Sequence, residues 1–215
     1  PHRRLDRRFF YGPSLSGGAG GPGSPGVFVV PTILFISEAC LLDRKSGAAQ
    51  SVRAQLKALA RAGWQAHAAT LTLFDGDTEY PRAMAHPALH PLPPAGSTVV
   101  LDDEGVTHTL CVTHSSRQKA ARPWELRAYT EQALQVLDRV QPDVLLTYSS
   151  ALLQPLLAQA QQRGARTVFY VGNPGYAKAG TPPFRFVDAF VMPSQAMVAL
   201  YREKLGTDAQ VVRTP

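Results

Sequence analysis

The sequence has few cysteines and no long apolar run. Cys40 and Cys111 stand far apart and form no CxxC motif, so neither a disulfide framework nor a zinc ribbon is expected, and both thiols should be reduced and at least half-buried. There is no run of 18 apolar residues and no apolar core of a signal peptide near the first residue. These absences predict a soluble, cytoplasmic protein and leave peripheral contact with a membrane open.

Metal-binding patterns are also missing. The histidines at 67, 86, 90, 108 and 114 show no HExxH spacing, no close pair on a helix face and no accompanying carboxylates. We therefore expect no metal and no resident cofactor. Asp75, Asp77 and Glu79 remain possible acidic groups, although acidic clusters in polar loops are usually only solvated.

The net charge of +6 lies largely on the N-terminal tail. Four arginines at 3, 4, 7 and 8 against Asp6 give 4 − 1 = +3 within the first eight residues, so about half of the excess belongs to the tail. The rest is weak evidence for a phosphate-binding face, which would need clustered Lys and Arg. We do not expect a nucleic-acid partner.

The composition divides the chain into a tail and one domain. Residues 1–26 are basic and then rich in glycine and proline, and such a segment cannot bury enough apolar area to offset the entropy of ordering it. Residues 27–215 suit a single core, since one core stops growing near roughly 250 residues. The sequence thus predicts a flexible N-terminal segment followed by one globular unit.

Within residues 27–215, apolar strands alternate with amphipathic helices. This pattern predicts an α/β fold, a Rossmann-like, doubly wound, mostly parallel sheet with helices on both faces. The proline-rich stretch 75–94 should be an extended surface loop. The expected strands are 27–30 with 32–37, 64–73, a hairpin of 98–101 with 106–112, 143–147, 166–171, 187–192 and 209–212; the expected helices begin at residues 47, 123 and 194, and a further helix ends near 163.

Ligands in such sheets bind outside the carboxyl ends of the strands, where the strand order reverses. This rule selects the loops 38–47, 148–150, 172–178 and 193–194, and so includes Ser149 and Ser194 among the candidate sugar-binding or acceptor-binding residues. In the first loop, Ser46, Gly47 and Ala48 open a helix whose free backbone N–H groups and small side chains suit a diphosphate. The alternative is that these are simply small residues at a helix start.

The third loop offers varied polar groups directly after a buried strand. Asn173, Tyr176 and Lys178 supply an amide, a phenol and an ammonium within a few residues. Such groups can hydrogen-bond sugar hydroxyls or an anionic acceptor. A proline-glycine turn with ordinary surface polar residues explains the same sequence equally well.

Three stretches together resemble the N-terminal lobe of family-4 glycosyltransferases of the GT-B class. The first stretch, residues 33–67, contains the opening strand, the Ser46-Gly47 pair and the helix after it. The second is the strand Pro142-Asp-Val-Leu-Leu-Thr-Tyr148. The third, residues 188–212, contains a strand, a capped helix and a further strand. Three departures from the family pattern are at Trp64, Leu146 and Tyr148, which stand where that family usually has histidines. A single glycine, Gly47, represents the family's pair.

The resemblance implies an acceptor-side lobe that works with a nucleotide-sugar as co-substrate and with a glycan, lipid or protein acceptor. It also implies a C-terminal lobe that holds most of the nucleotide-sugar; we expect that lobe to be missing from these 215 residues, which alone should lack robust transferase activity. Tyr148 would then hydrogen-bond the transferred sugar through its hydroxyl, without acting as a base at neutral pH. An aromatic residue that merely packs at a strand end is the alternative.

Two other classes stay open at this point. A flavodoxin-like nucleotide-binding or flavin-binding module would use the same helix start at Ser46 and Gly47. A non-catalytic interaction domain could keep the fold without the chemistry, as the replacement of both strand histidines suggests.

Overall fold

The computed structural model describes residues 30–74, 86–115, 121–148, 153–172, 175, 184–206 and 210–211. The tail 1–26 and the first part of the expected opening strand, 27–29, lie outside this range. In chain order the elements are β1 (Thr32–Ser37), α1 (Gly47–Arg61), β2 (Gln65–Leu71), a 3₁₀ helix (Pro87–Leu89), β3 (Thr98–Asp103), β4 (Val106–Cys111), α2 (Pro123–Val140), β5 (Val144–Thr147), α3 (Gln154–Gln162), β6 (Arg166–Tyr170), β7 (Ala189–Met192), α4 (Gln195–Leu205) and β8 (Gln210–Val211).

The strands form one eight-stranded sheet in the order β3-β4-β2-β1-β5-β6-β7-β8. Only the β3–β4 pairing is antiparallel. Counted along the chain, the seven parallel strands run 3-2-1-4-5-6-7, which is the Rossmann order and not the 2-1-3-4-5 order of flavodoxin. The predicted Rossmann-like fold is confirmed, and the flavodoxin-like alternative is wrong in its topology.

Strand β1 is buried on both faces and separates two core layers. Leu34 and Ile36 pack with side chains of α2 and α3 on one face. Ile33 and Phe35 pack with side chains of α1 on the other. Because successive side chains of a strand point to opposite faces, the unbroken apolar run 33–36 within β1 is what a doubly wound sheet needs at its centre.

The β3–β4 hairpin turns at Glu104 and Gly105, which both have positive φ values of 52° and 85°. Two consecutive residues with positive φ are typical of a type I′ turn, and glycine adopts that conformation without a steric penalty. The turn is shorter than the predicted Asp102–Gly105, because Asp102 and Asp103 belong to β3.

Asp103 anchors this hairpin to helix α1. Its carboxylate accepts hydrogen bonds from Arg53, at 2.8 Å from Nη2, and lies 3.0 Å from Lys57 Nζ. The imidazole of His108 on β4 is fully buried, with Nε2 at 3.7 Å from the same carboxylate. Burial alone would raise the pKa of Asp103, but the hydrogen bonds from Arg53 and Lys57, together with the nearby imidazole of His108, lower it, so the carboxylate is charged.

The structure corrects several expected boundaries. Pro31 separates β1 from Val30, which is 45% exposed, so the described part of 27–30 does not continue the opening strand. In the stretch 75–94, of which 75–85 lies outside the described residues, a single 3₁₀ turn buries Leu89 completely. An apolar side chain that reaches the core thus gives part of the proline-rich segment a fixed position.

Candidate functional site

The strand order reverses between β1 and β5, which pair in parallel with Ile36 opposite Thr147. Beyond their carboxyl ends, Ser37 and Glu38 follow one strand and Tyr148 follows the other. The described residues of the first two predicted loops therefore meet at the reversal point. This is the position where α/β sheets bind their ligands.

The first loop is packed rather than open. Residues 39–43 are all buried, and the N–H of Cys40 donates to the carbonyl of Leu73 at 2.7 Å. Asp43 turns the chain towards the helix by accepting a hydrogen bond from the N–H of Lys45 at 2.8 Å. Burial raises the pKa of the Cys40 thiol to about 12, so it is neutral and not a nucleophile at physiological pH.

Helix α1 begins at an accessible position. The hydroxyl of Ser46 caps it by accepting from the N–H of Ala49 at 3.4 Å, and the first turn contains no acidic side chain that would compete with an anion. Gly47 is exposed, and a Cβ there would meet no atom within 4 Å. Because packing does not require a glycine at this position, the space beside the helix start is open to a ligand.

Tyr148 packs across the reversal point. Its ring lies 5.1 Å from the ring of Phe35, at an interplanar angle of 50°, and it contacts the core layer on the α1 side. Burial raises the pKa of its hydroxyl, and a hydrogen bond with Ser37 opposes this shift only in part. The hydroxyl is therefore protonated at neutral pH and can hydrogen-bond, but it cannot serve as a general base.

Leu146 is 5% exposed and belongs to the same core layer. The first of the two replaced histidine positions is thus part of the apolar core. It contributes packing and no polar chemistry.

Glu38 is the residue that the sequence did not single out. It is 8% exposed, and its Oε2 is buried without a hydrogen-bond partner among the described residues. A cavity of about 210 Å³ opens beside it, lined by Glu38, Pro123, Leu126, Arg127, Tyr129, Thr130 and Leu153. The available signal was a charged residue directly after the buried strand β1, but the sequence alone did not show whether its side chain would be solvated.

Ser194 caps helix α4, where its hydroxyl accepts from the N–H of Met197 at 3.3 Å. It follows β7, three strand positions from β1, which corresponds to roughly 14 Å across a sheet. Ser46 and Ser194 thus both cap helices that follow strands of the same sheet, and these two strands are three positions apart.

The remaining predicted side chains lie outside the described residues. These are Ser149, Asn173, Tyr176 and Lys178 of the candidate sugar or acceptor site, and the acidic residues Asp75, Asp77 and Glu79. Within the part of the chain that the structure describes, no three His, Cys, Asp or Glu side chains come together in a way that could hold a metal ion. None of the helices in those ranges combines the length and apolar character that a membrane crossing requires.

The fold matches solved glycosyltransferase structures. Sucrose-phosphate synthase from Thermosynechococcus elongatus aligns with a TM-score of 0.53 at 15% identity, over 85% of this chain and 48% of that one. The chain has the fold of a single GT-B glycosyltransferase lobe. A shorter structure of the same synthase aligns with a TM-score of 0.51 at 15% identity, over 86% of this chain and 88% of that one.

A glycosyltransferase from Rickettsia africae aligns with a TM-score of 0.48 at 14% identity, over 86% of this chain and 43% of that one. The chain spans about half the length of the full synthase that it matches. In sequence, no protein-family model and no curated protein matches it. The likeness to these enzymes is thus one of fold.

Proposed function

We propose that this chain is the acceptor-side, N-terminal lobe of a GT-B glycosyltransferase, which transfers a sugar from a nucleotide-sugar to a glycan, lipid or protein acceptor. The observation that carries the proposal is the reversal point between β1 and β5, where the loop that leads to an accessible helix start and a neutral, partly buried tyrosine follow neighbouring strands of a sheet with the fold of a GT-B lobe. A second lobe would complete the cleft and hold most of the nucleotide-sugar.

Two sets of residues would bind the two substrates. The helix start at Ser46, Gly47 and Ala48 would bind the donor diphosphate, since its N–H groups point out of the helix and its dipole favours an anion. The sugar and the acceptor would be held by Tyr148, Ser149, Asn173, Tyr176, Lys178 and Ser194. In this scheme Tyr148 donates or accepts a hydrogen bond and transfers no proton.

Ligand-observed NMR of the 215-residue chain tests the proposal. The panel contains UDP-glucose, free nucleotides, FMN and simple glycans. We expect weak nucleotide-sugar binding together with a response to a glycan or a lipid-like acceptor, because one lobe carries only part of the donor site. Tight binding of FMN or of a free nucleotide would contradict it, and so would robust sugar transfer by this chain without a second lobe.

A non-catalytic interaction domain is the second candidate, and the burial of Leu146 in the core favours it. At this position an apolar core side chain stands where the family usually has a histidine, so the fold is kept without the polar group. Absence of sugar-induced shifts at the amide of Tyr148, measured on the ¹⁵N-labelled chain, would support this candidate over the first.

A further inference from the structure

Strand β3 is anchored to the rest of the protein by few of its side chains. Leu101 and Asp103 are buried, Val99 is partly buried, and the other three residues of the strand are exposed. In its neighbour β4, five of the six residues are buried. Because β3 lies at an outer edge of the described sheet and pairs with β4 alone, it is the strand of this hairpin that can separate at the lower cost.

This edge strand covers a fully buried histidine. His108 of β4 lies directly opposite Leu101 of β3, and none of its side chain is exposed. Neither ring nitrogen has a hydrogen-bond partner among the described residues, and Nε2 lies 3.7 Å from the carboxylate of Asp103. A buried polar group without a hydrogen bond is costly, so an opening that brings water to this ring is favoured by its hydration.

The charged groups near His108 belong to α1 and to the hairpin. They are Arg53, Lys57 and Arg61 of α1, Asp103 of β3 and Glu104 of the turn. On its other side, β4 pairs with β2, which places Ala68 opposite His108 and so adds no charge there.

A proton on His108 is unfavourable while β3 is in place. Arg53 and Lys57 already share the Asp103 carboxylate, at 2.8 Å and 3.0 Å. A protonated ring would bring a third cation to this one buried anion, in a place that water does not reach. The ring can therefore take up a proton at low cost only after β3 has moved away.

We propose that β3 is an acid-released edge strand: its separation from β4 exposes His108 to water, and a proton on the ring then keeps β3 apart while the parallel strands stay folded. In water the imidazole has its ordinary pKa of about 6.5, whereas burial lowers the pKa of His108 when β3 is in place. Each fall in pH through this range thus favours the open form. The inference goes beyond the proposed function and does not depend on it.

Native-state hydrogen exchange of the 215-residue chain measures this opening. Opening constants of the protected amides of β3 and β5 are compared at pH 7.5 and pH 5, in low concentrations of urea and after correction for intrinsic exchange rates. We expect β3 to open more readily than β5 and with a smaller dependence on urea, because a local opening exposes less surface than unfolding does. One opening constant and one urea dependence for both strands would overturn the proposal, since β3 would then open only by unfolding of the whole domain.

The opening constant of β3 should rise about thirtyfold from pH 7.5 to pH 5, which is the ratio for one group of pKa 6.5 that titrates in the open form alone. In His108→Gln, which removes the titrating ring, the rise should fall below about threefold. His67→Gln is the matched control, because it makes the same change one residue away from the position of β2 that pairs with His108. It should keep the full rise at β3. An undiminished rise in His108→Gln would contradict the assignment of the proton to this ring.

A second measurement needs no variant and keeps the proposal testable if His108→Gln does not fold. The ring resonances of His108 in the wild-type chain should remain those of a neutral imidazole at pH 6 for as long as the β3 amides stay protected. A ring that becomes protonated near pH 6.5 while β3 keeps its full protection would overturn the proposal. Leu101→Ala weakens the apolar anchor, so it should raise the β3 opening constant at least about tenfold at both pH values.

Discussion

Tyr148 and Phe35 join the two strands between which the sheet reverses. Their ring centroids are 5.1 Å apart, with Phe35 within β1 and Tyr148 directly after β5. The tyrosine is thus fixed through its ring while its hydroxyl stays near Ser37 at the candidate site. One side chain serves both packing and the candidate site, and substitutions can separate these two contributions.

Tyr148→Phe should preserve the fold and weaken ligand binding. Removing the hydroxyl costs about 1 kcal/mol of unfolding free energy, because only one hydrogen bond is lost, whereas Tyr148→Ala costs about 3 kcal/mol through the lost ring packing. Urea denaturation followed by circular dichroism measures both. If the hydroxyl contacts the sugar or the acceptor, Tyr148→Phe also lowers affinity for the glycan that binds the wild type; an unchanged affinity would leave Tyr148 with packing alone.

Gly47→Ala should affect stability and ligand binding in opposite directions. The added Cβ meets no atom within 4 Å, and alanine is a better helix former, so unfolding free energy should rise by about 0.5 kcal/mol. A methyl group beside the amides would hinder a diphosphate, so UDP-glucose affinity should fall. Ala48→Gly serves as the reverse substitution. A stabilised variant with unaltered UDP-glucose binding would remove the helix start from the donor site.

Asp103→Asn should destabilise the chain by about 2–3 kcal/mol, since it leaves Arg53 and Lys57 partly buried without their shared countercharge. Glu104→Gln, one residue further along the same turn, provides the control because its carboxylate is 62% exposed and its ion pairs with Lys57 and Arg61 are solvated. Urea midpoints of the two variants should differ clearly. Equal midpoints would mean that the Asp103 cluster contributes no more than a surface pair.

The chain should lose stability as the pH falls below about 6.5, the ordinary pKa of histidine. Burial lowers the pKa of His108 in the folded state, so the unfolded chain binds its proton more readily and acidification favours unfolding. His67 adds to the loss in the same direction, through burial and the charge of Arg139. At lower pH, protonation of Asp103, whose folded pKa is lowered, removes further stability.

Unfolding free energies at pH 7.5, 6 and 5 measure this dependence. His108→Gln should reduce the loss between pH 6.5 and 5, and the slope that remains comes from His67 and, towards pH 5, from Glu104 and Glu125, whose pKa values are also lowered. A variant with the wild-type slope would show that His108 does not titrate differently in the two states.

The sequence predicted the fold where local signals and burial agree. Ser46, Gly63 and Ser194 mark helix ends by their own conformational preferences, and the apolar run of β1 specifies a central strand. The predicted boundaries were less accurate where a tertiary contact determines the local structure. The burial of Leu89, for example, gives part of a proline-rich segment a fixed conformation. Secondary-structure periodicity does not contain such long-range contacts.

The candidate site was predictable in position but not in chemistry. The rule for parallel sheets located the edge that contains Ser46 and Tyr148. It could not show that Glu38 would be buried beside a cavity, because that depends on α2 and on Leu153, more than eighty residues away in sequence. That Glu38 lines a cavity can be seen only in the folded structure, where α2 and Leu153 pack beside it.

The antiparallel strand β3 occupies one outer edge of the described sheet. Unpaired strand edges invite pairing with other molecules, and charged side chains at such an edge oppose it. Asp102 is exposed on β3, and Glu104 extends from its turn. The hairpin therefore places charged side chains, the exposed Asp102 and the ion-paired Glu104, at this outer edge, where they oppose edge-to-edge pairing with neighbouring molecules.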